Sequence, residues 1–170
     1  LESQGVLSLP AKHAVSAVDK RRPDASARTV PQAPIECQLK ELGTIQLEVV
    51  REREEARLWD EFVDRYHYLG YRQPFGCFAR YFVESDQRGR LGCLLFSGAA
   101  KALRARDQWI GWSERYRLRN LGRVVNNARF VIFPWVRVKN LASHVLGQAV
   151  RRIGDDWEKR WSYRPLLLET

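Results

Sequence analysis

His67 is the residue of this sequence best suited to proton transfer near neutral pH. It lies between Tyr66 and Tyr68 and is followed by Leu69 and Gly70, at the end of a segment with helical spacing. An imidazole can act as a general base near neutrality, and a tyrosine hydroxyl can donate a proton. The candidate catalytic residues are therefore His67 and Tyr68. The alternative is a histidine that only ends the helix, its charged form favoured by the helix dipole.

A turn before a long amphipathic segment is a candidate anion site. The apolar run from Phe130 to Phe133 predicts a buried strand, which Pro134 ends because it cannot donate to a neighbouring strand. Apolar residues then recur at helical spacing, and Asn140 is a suitable N-cap. Free N–H groups at such a helix start bind phosphate or pyrophosphate, and Ser143 adds a hydroxyl. An ordinary strand and helix of an α/β domain is the alternative.

The stretch from 104 to 123 interleaves basic and aromatic residues, which suits contact with nucleic acid. Arginines can bind backbone phosphates, and aromatic rings can stack on bases. An asparagine amide before the central strand could recognise a base edge. A packed excursion with a solvated basic side is the alternative, and the residues leave both open. The candidate nucleic-acid residues are Arg104, Arg106, Trp109, Trp112, Arg115, Arg117, Arg119, Arg123 and Asn127.

The composition agrees with a polyanionic partner and excludes several other classes. There are 29 Lys and Arg against 20 Asp and Glu, a formal net charge of +9. Three scattered cysteines form no C-x-x-C pair, so we expect no metal site, no disulfide framework and a reduced, cytoplasmic protein. No apolar run is long enough to cross a membrane. The absence of a Walker-type loop and of paired carboxylates disfavours an ATPase or a nuclease.

The predicted elements follow the order of a mixed α/β domain. They are a strand at 44–50, a helix from 52 that ends before Gly70, a hairpin of strands at 78–83 and 91–96, a short helix at 113–121, a strand at 130–133, a long helix from 141 and a strand at 166–170. We expect helices packed on a largely antiparallel sheet. The last strand–helix–strand unit should be a parallel crossover.

The first part of the chain has a different composition from the rest. We predict that residues 1–40 form a disordered basic tail, because they mix Ser, Ala, Pro and charges without periodicity. Residues 41–170 then form one domain. The sequence contains no Met, so we expect a fragment of a longer protein, truncated at the C-terminal end of the domain.

This order, with a proline-ended strand that leads into a phosphate-facing helix, resembles the GNAT-type N-acyltransferase fold. In that superfamily the motif Arg/Gln-x-x-Gly-x-Gly/Ala binds the pyrophosphate of coenzyme A, and Asn140 stands here in place of a glycine. The resemblance implies that any cofactor is acetyl-CoA or another acyl-CoA. The residues it implicates are Arg137, Lys139, Asn140, Leu141, Ala142 and Ser143.

A more specific resemblance rests on several motifs between about residue 48 and residue 170. They are His67-Tyr68-Leu69-Gly70, Arg106-Asp107-x-Trp109-Ile110-Gly111-Trp112, Asn126-Asn127-x-Arg129-Phe130, Asn140-Leu141-Ala142-Ser143, Asp156-Trp157 and Leu167-Leu168-Glu169-Thr170. In their order and spacing the chain resembles the DruA family of Druantia anti-phage proteins, which occurs in defence loci and beside transposase-like sequences.

The family resemblance implies a GNAT-like α/β domain of bacterial anti-phage defence or of a mobile-element system. The basic composition and the arginine-rich, tryptophan-bearing stretch at 104–123 lead us to expect that the protein recognises nucleic acid, DNA foremost. One alternative is a GNAT-type, acyl-CoA-dependent N-acyltransferase. Another is a non-catalytic module that docks onto other subunits of a defence complex.

Overall fold

The computed structural model of the chain describes residue 23 and residues 25–170. Its elements are β1 (Ile35–Glu36), β2 (Ile45–Val49), α1 (Arg53–Tyr66), β3 (Phe78–Ser85), β4 (Gly89–Gly98), α2 (Arg104–Ile110), α3 (Glu114–Asn120), β5 (Val124–Ile132), β6 (Val136–Arg137), α4 (Leu141–Trp161) and β7 (Leu167–Glu169). Short 3-10 turns lie at Ala27–Thr29, Leu39–Leu42 and Leu121–Arg123.

A five-stranded sheet in the order β2-β3-β4-β5-β7 forms the centre of the domain. The strands from β2 to β5 pair antiparallel with their neighbours, whereas β7 pairs parallel with the start of β5. The predicted α/β class with a largely antiparallel sheet is therefore confirmed. The predicted parallel arrangement of the final strand β7 and the central strand β5 is confirmed as well. β1 and β6 form a separate parallel pair.

The two long helices lie on opposite faces of the sheet. Successive side chains of a strand point to opposite faces. In β3, the ring of Phe82 packs edge-on against Phe62 of α1, with ring centroids 6.2 Å apart. The adjacent residue, Tyr81, instead donates a hydrogen bond of 3.0 Å to Asp156 of α4. The amphipathic faces predicted for both helices are thus buried against the sheet.

Side chains of α4 cover the outer edge of β2. Gln148 donates to the carbonyl of Ile45 at 3.0 Å, and Arg152 donates to the carbonyl of Leu47 at 2.6 Å. An uncovered edge strand leaves backbone groups free to pair with another chain. These two side chains therefore satisfy carbonyls that no strand reaches.

The central strand β5 is longer than the prediction of 130–133. It begins at Val124, so Asn126 and Asn127 lie inside the strand rather than before it. The apolar run reveals only its last part, because most of the strand is half-buried and pairs with β4 through its backbone. The register shifts at Ala128, which has no partner between Asn127 and Arg129.

Part of the predicted tail is packed on the domain. The hydroxyl of Ser26 donates to Glu61 of α1 at 2.6 Å, and Thr29 is fully buried. The N–H of Ile35 donates to the carbonyl of Trp135 at 2.8 Å, where β1 pairs with β6. The structure differs here from the prediction of a tail that reaches residue 40. The rest of that tail, residues 1–22 and 24, lies outside the described residues.

Candidate nucleic-acid interface

Two short helices, α2 and α3, form an excursion between β4 and β5. Gly111 ends α2 in the left-handed region at φ 77°, which glycine adopts without steric cost. The N–H of Trp112 then donates to the carbonyl of Asp107 at 2.9 Å. Ser113 precedes α3 in an extended conformation, as predicted, although its side chain makes no capping hydrogen bond. The chain therefore turns sharply and presents two helices side by side.

The carboxylate of Asp107 holds the two helices together. It accepts hydrogen bonds from Arg106 at 2.9 Å and from Arg117 of α3 at 3.1 Å. Partial burial raises the pKa of the Asp107 carboxyl, but the hydrogen bonds and charges of the two arginines outweigh this and keep the pKa below its ordinary value. The carboxylate is consequently charged at neutral pH.

Arg106 lies inside the protein. Its side chain is 3% exposed, and the guanidinium donates to the carbonyl of Ala100 at 3.1 Å. It also lies 3.4 Å from the carboxylate of Glu169 in β7. Of the predicted nucleic-acid residues, Arg106 and Arg117 thus bind acidic partners within the protein, a role that the sequence analysis did not assign to them.

The remaining basic residues of the excursion point outward. Trp109 is 79% exposed, whereas Trp112 is half-buried beside an open cleft of about 520 Å³. Four arginines of the excursion are exposed, and within the part of the chain that the structure describes they form no ion pair with a carboxylate. We call the following set the basic–aromatic face: Arg104, Trp109, Arg115, Arg119 and Arg123.

Asn127 occupies a different position from that predicted. It is half-buried in β5, where its amide nitrogen lies 3.4 Å from the hydroxyl of Thr170. Its Oδ1 atom is buried and has no hydrogen-bond partner among the described residues. The side chain therefore lies in the sheet and is not part of the basic–aromatic face.

His67 ends α1 and is buried. Its Nδ1 atom accepts a hydrogen bond from the N–H of Leu69 at 3.2 Å, and its ring stacks on Tyr68 at 4.7 Å between centroids. Burial, and to a lesser extent the charge of Arg129, lowers the pKa of the His67 imidazole. The ring nitrogen that would accept a proton is already hydrogen-bonded at the end of the helix. The lowered pKa, however, disfavours the charged form that the helix-ending alternative expected. A catalytic role for His67 and for Tyr68, which is 89% exposed, stays a prediction.

The predicted acyl-CoA residues surround the start of α4, which begins at Leu141 as expected. Asn140 precedes it in the left-handed region, at φ 65°, and its side chain does not cap the helix. Arg137 donates to Glu36 at 2.9 Å, and Leu141 is packed in the core. Lys139, Ala142 and Ser143 are exposed. Lys139 and Ser143 thus remain exposed beside the first turn of α4, and the binding of an acyl-CoA at this turn stays a prediction.

The sequence analysis missed a buried polar cluster between α1 and β3. The guanidinium of Arg80 lies over the ring of Phe78 at 4.9 Å, donates to the Tyr71 hydroxyl at 3.0 Å and lies 3.1 Å from Asp60. Burial raises the pKa of Asp60 to about 6, although the charge of Arg80 and a hydrogen bond from Tyr71 act to lower it. An arginine within an otherwise apolar strand was the available signal.

Three further properties follow from the described residues. None of their helices combines the length and the apolar character that a bilayer span requires. No group of three or more His, Cys, Asp or Glu side chains among them is placed to hold a metal ion. The three cysteines are free thiols.

Comparison with known proteins identifies the family of the chain. A family model described as Druantia protein DruA matches residues 1–170. The chain belongs to the DruA family. Membership of this family indicates a component of Druantia anti-phage defence. No curated protein and no solved structure matches the chain.

Two of the motifs that indicated the DruA family meet in the structure. The motif at 106–112 supplies Arg106 and Asp107, and the motif at 167–170 supplies Glu169. The ion pair between Arg106 and Glu169 joins them across 63 positions of sequence. In this DruA-family chain, therefore, these motif residues fix how the excursion is attached to the sheet.

Proposed function

We propose that this DruA-family chain binds nucleic acid, DNA foremost, through the basic–aromatic face. The setting would be bacterial anti-phage defence or a related mobile-element system. The observation that carries the proposal is that the excursion exposes four arginines, which have no carboxylate partner among the described residues, together with the ring of Trp109. Their guanidinium groups match phosphate geometry, and the indole offers a stacking surface for a base.

The internal contacts of the excursion support the same proposal. Asp107 cross-links α2 and α3, and Arg106 attaches α2 to β7. A surface held in one arrangement loses less conformational entropy on binding than a flexible loop does. Acidic partners are thus used to position the excursion, while the outer arginines have no acidic partner in the part of the chain that the structure describes.

Docking onto another subunit of a defence complex is the second candidate function. One observation favours it: Tyr116 and Leu118 of α3 are each 58% exposed, so the excursion also carries apolar surface. Exposed apolar patches mark interaction sites on proteins. A response to salt separates the two functions, because phosphate contacts release counterions and apolar contacts do not.

The test is fluorescence anisotropy of labelled duplex and single-stranded DNA between about 50 and 200 mM salt. The test variant carries Gln at Arg104, Arg115, Arg119 and Arg123. If each arginine neutralises a phosphate of duplex DNA, the slope of log affinity against log salt becomes shallower by about 3 to 4 in this variant. Wild-type affinity should fall steeply over the same range.

A control variant of equal charge carries Gln at four exposed cations near the opposite end of the sheet: Lys40, Arg65, Arg88 and Lys139. It should keep the wild-type salt slope. Equal losses in both variants would mean that only the net charge matters and would overturn the assignment of the face. Wild-type protein that binds neither form of DNA at low salt would remove the nucleic-acid proposal and leave subunit docking.

A further inference from the structure

A cationic cleft, separate from the one beside Trp112, lies between the edge of the sheet and the last turns of α4. It has a volume of about 380 Å³ and is lined by Val49 at the end of β2, by Ala79 and Tyr81 of β3, and by residues of α4. Ala79 is 2% exposed, so a small side chain forms the inner wall where a larger one would fill the space. The cleft is therefore concave and opens beside charged groups.

Three cations surround this cleft. Arg51, Lys159 and Arg160 are exposed, and none of them forms an ion pair in the part of the chain that the structure describes. Arg160 lies over the rings of Phe78 and Trp161, at 5.5 Å and 5.4 Å, which holds its guanidinium beside the sheet.

The acidic residues of α4 do not cancel this charge, because other arginines bind them. Asp156 accepts hydrogen bonds from Arg152 at 2.7 Å and from the hydroxyl of Tyr81 at 3.0 Å. Asp155 and Glu158 are both paired with Arg164. Burial and the charge of Asp156 raise the pKa of Tyr81, so its hydroxyl keeps the proton that it donates. The cleft consequently presents an excess of positive charge.

The neighbouring cleft on the α1 side has the opposite character. Its lining includes four acidic residues, and Arg51 lies where the two clefts adjoin. The lining acids are Glu48, Glu52, Glu55 and Glu84, of which Glu55 and Glu84 are paired with Arg90, so Glu48 and Glu52 carry the negative charge beside Arg51. An anion is therefore repelled by the acidic cleft and attracted to the cationic cleft on the α4 side of the sheet.

Strand register places the cationic cleft at the same end of the sheet as the excursion. Val49 pairs with Tyr81, Phe78 pairs with Ser97, and Gly98, at the end of β4, leads to α2. Trp161 at the end of α4 donates to the carbonyl of Phe78 at 3.3 Å. Neighbouring strands are about 5 Å apart, so two strand spacings separate the cleft from the base of the excursion by roughly 10 Å.

We infer that the cleft binds a backbone phosphate of the nucleic acid that contacts the basic–aromatic face. The inference rests on the proposed function and extends its binding surface across the end of the sheet. The roughly 10 Å between the cleft and the base of the excursion alone corresponds to about three nucleotides of axial rise. The cleft therefore adds to the binding affinity only when the nucleic acid is long enough to reach it.

The test measures affinity for duplexes of increasing length, with the intact chain and an Arg51→Gln/Lys159→Gln variant. Both residues are exposed, so the variant keeps the folded core. We expect wild-type affinity to rise once the duplex is long enough to reach from the basic–aromatic face to the cleft, and the variant to lack this rise. For the long duplexes, the advantage of wild type over the variant should shrink about tenfold between about 50 and 200 mM salt.

Two controls make the result specific. A Lys40→Gln/Arg88→Gln variant loses the same charge near the other end of the sheet and should behave like wild type. An Arg51→Lys/Lys159→Arg variant keeps the charge and should restore the rise with length.

Equal affinities of wild type and the cleft variant at every length would overturn the inference. Salt-dependent binding that needs the four arginines of the excursion would then still support the proposed function. Absence of any salt-dependent binding by wild type would overturn both.

Discussion

Nη1 of Arg106, in the first turn of α2, lies 3.4 Å from both carboxylate oxygens of Glu169 in β7. The same guanidinium binds Asp107, which in turn binds Arg117 of α3. These contacts form a network between the excursion and the last strand of the sheet. The orientation of the basic–aromatic face consequently depends on β7, although β7 carries none of its residues.

Replacement of Arg106 by Ala should destabilise the folded protein strongly. The side chain is 3% exposed, and its loss leaves the Glu169 carboxylate without its partner in a largely buried position. Breaking a buried ion pair in this way costs about 3 kcal/mol or more. Urea denaturation monitored by tryptophan fluorescence would measure the free energy of unfolding.

An Arg104→Ala variant is the matched control, since Arg104 lies in the same helix turn but is exposed. Its free energy of unfolding should stay within about 0.5 kcal/mol of wild type. Similar losses in the two variants would argue against a buried role for Arg106.

Replacement of Trp109 by Ala should weaken binding of single-stranded DNA without a loss of stability. The indole is 79% exposed, so its removal leaves no cavity in the core. Loss of one stacked base lowers affinity by about tenfold or more. Fluorescence anisotropy would measure the change, and a Trp109→Phe variant should recover part of it.

Tyr68→Ala provides the comparison for Trp109, because Tyr68 is an exposed aromatic residue at the end of α1. We expect it to bind single-stranded DNA as wild type does. A Trp109→Ala variant with unchanged affinity would be incompatible with stacking at this position.

The lowered pKa of His67 should make stability depend on pH. As pH falls through about 6.5, the unfolded chain takes up a proton before the folded protein does, so the folded state loses stability. The contribution of His67 to the free energy of unfolding is complete at pH values above the pKa that its imidazole has in the unfolded chain. It is lost as the pH falls towards the lower pKa that the imidazole has in the folded protein. A His67→Gln variant lacks this contribution.

The measurement is the free energy of unfolding of wild type and of His67→Gln at about pH 7.5 and at about pH 5.5. The advantage of wild type over the variant should be smaller at the lower pH. Asp60 titrates in both proteins, so its effect cancels in the difference. A difference that does not change with pH would show that His67 has its ordinary pKa.

Acetyl-CoA should leave the melting temperature unchanged. Arg137 must break its ion pair with Glu36 before it can bind a pyrophosphate, and Asn140 stands where the acyl-CoA motif has a glycine. A thermal-shift titration tests this directly. A rise in wild type that an Ala142→Trp variant lacks would contradict the expectation and favour an N-acyltransferase.

Local patterns were sufficient to predict most of the elements. Apolar residues at helical spacing predicted α1 and the long helix α4, and a polar turn between two apolar runs predicted the β3–β4 hairpin. These signals are contained in short stretches of chain, since periodicity depends only on near neighbours. For β5 the apolar pattern covered only its last part, because pairing with β4 extends the strand through polar residues.

The sequence by itself determined the element order, the positive charge and, through its motifs, the family. Only the tertiary structure decided which arginines are free to bind a ligand. Arg104 and Arg106 are alike in sequence, yet one is exposed and the other is paired with Glu169, 63 positions away. The physical reason is that charge neutralisation acts through space, and strand pairing brings together residues whose separation along the chain carries no local signal.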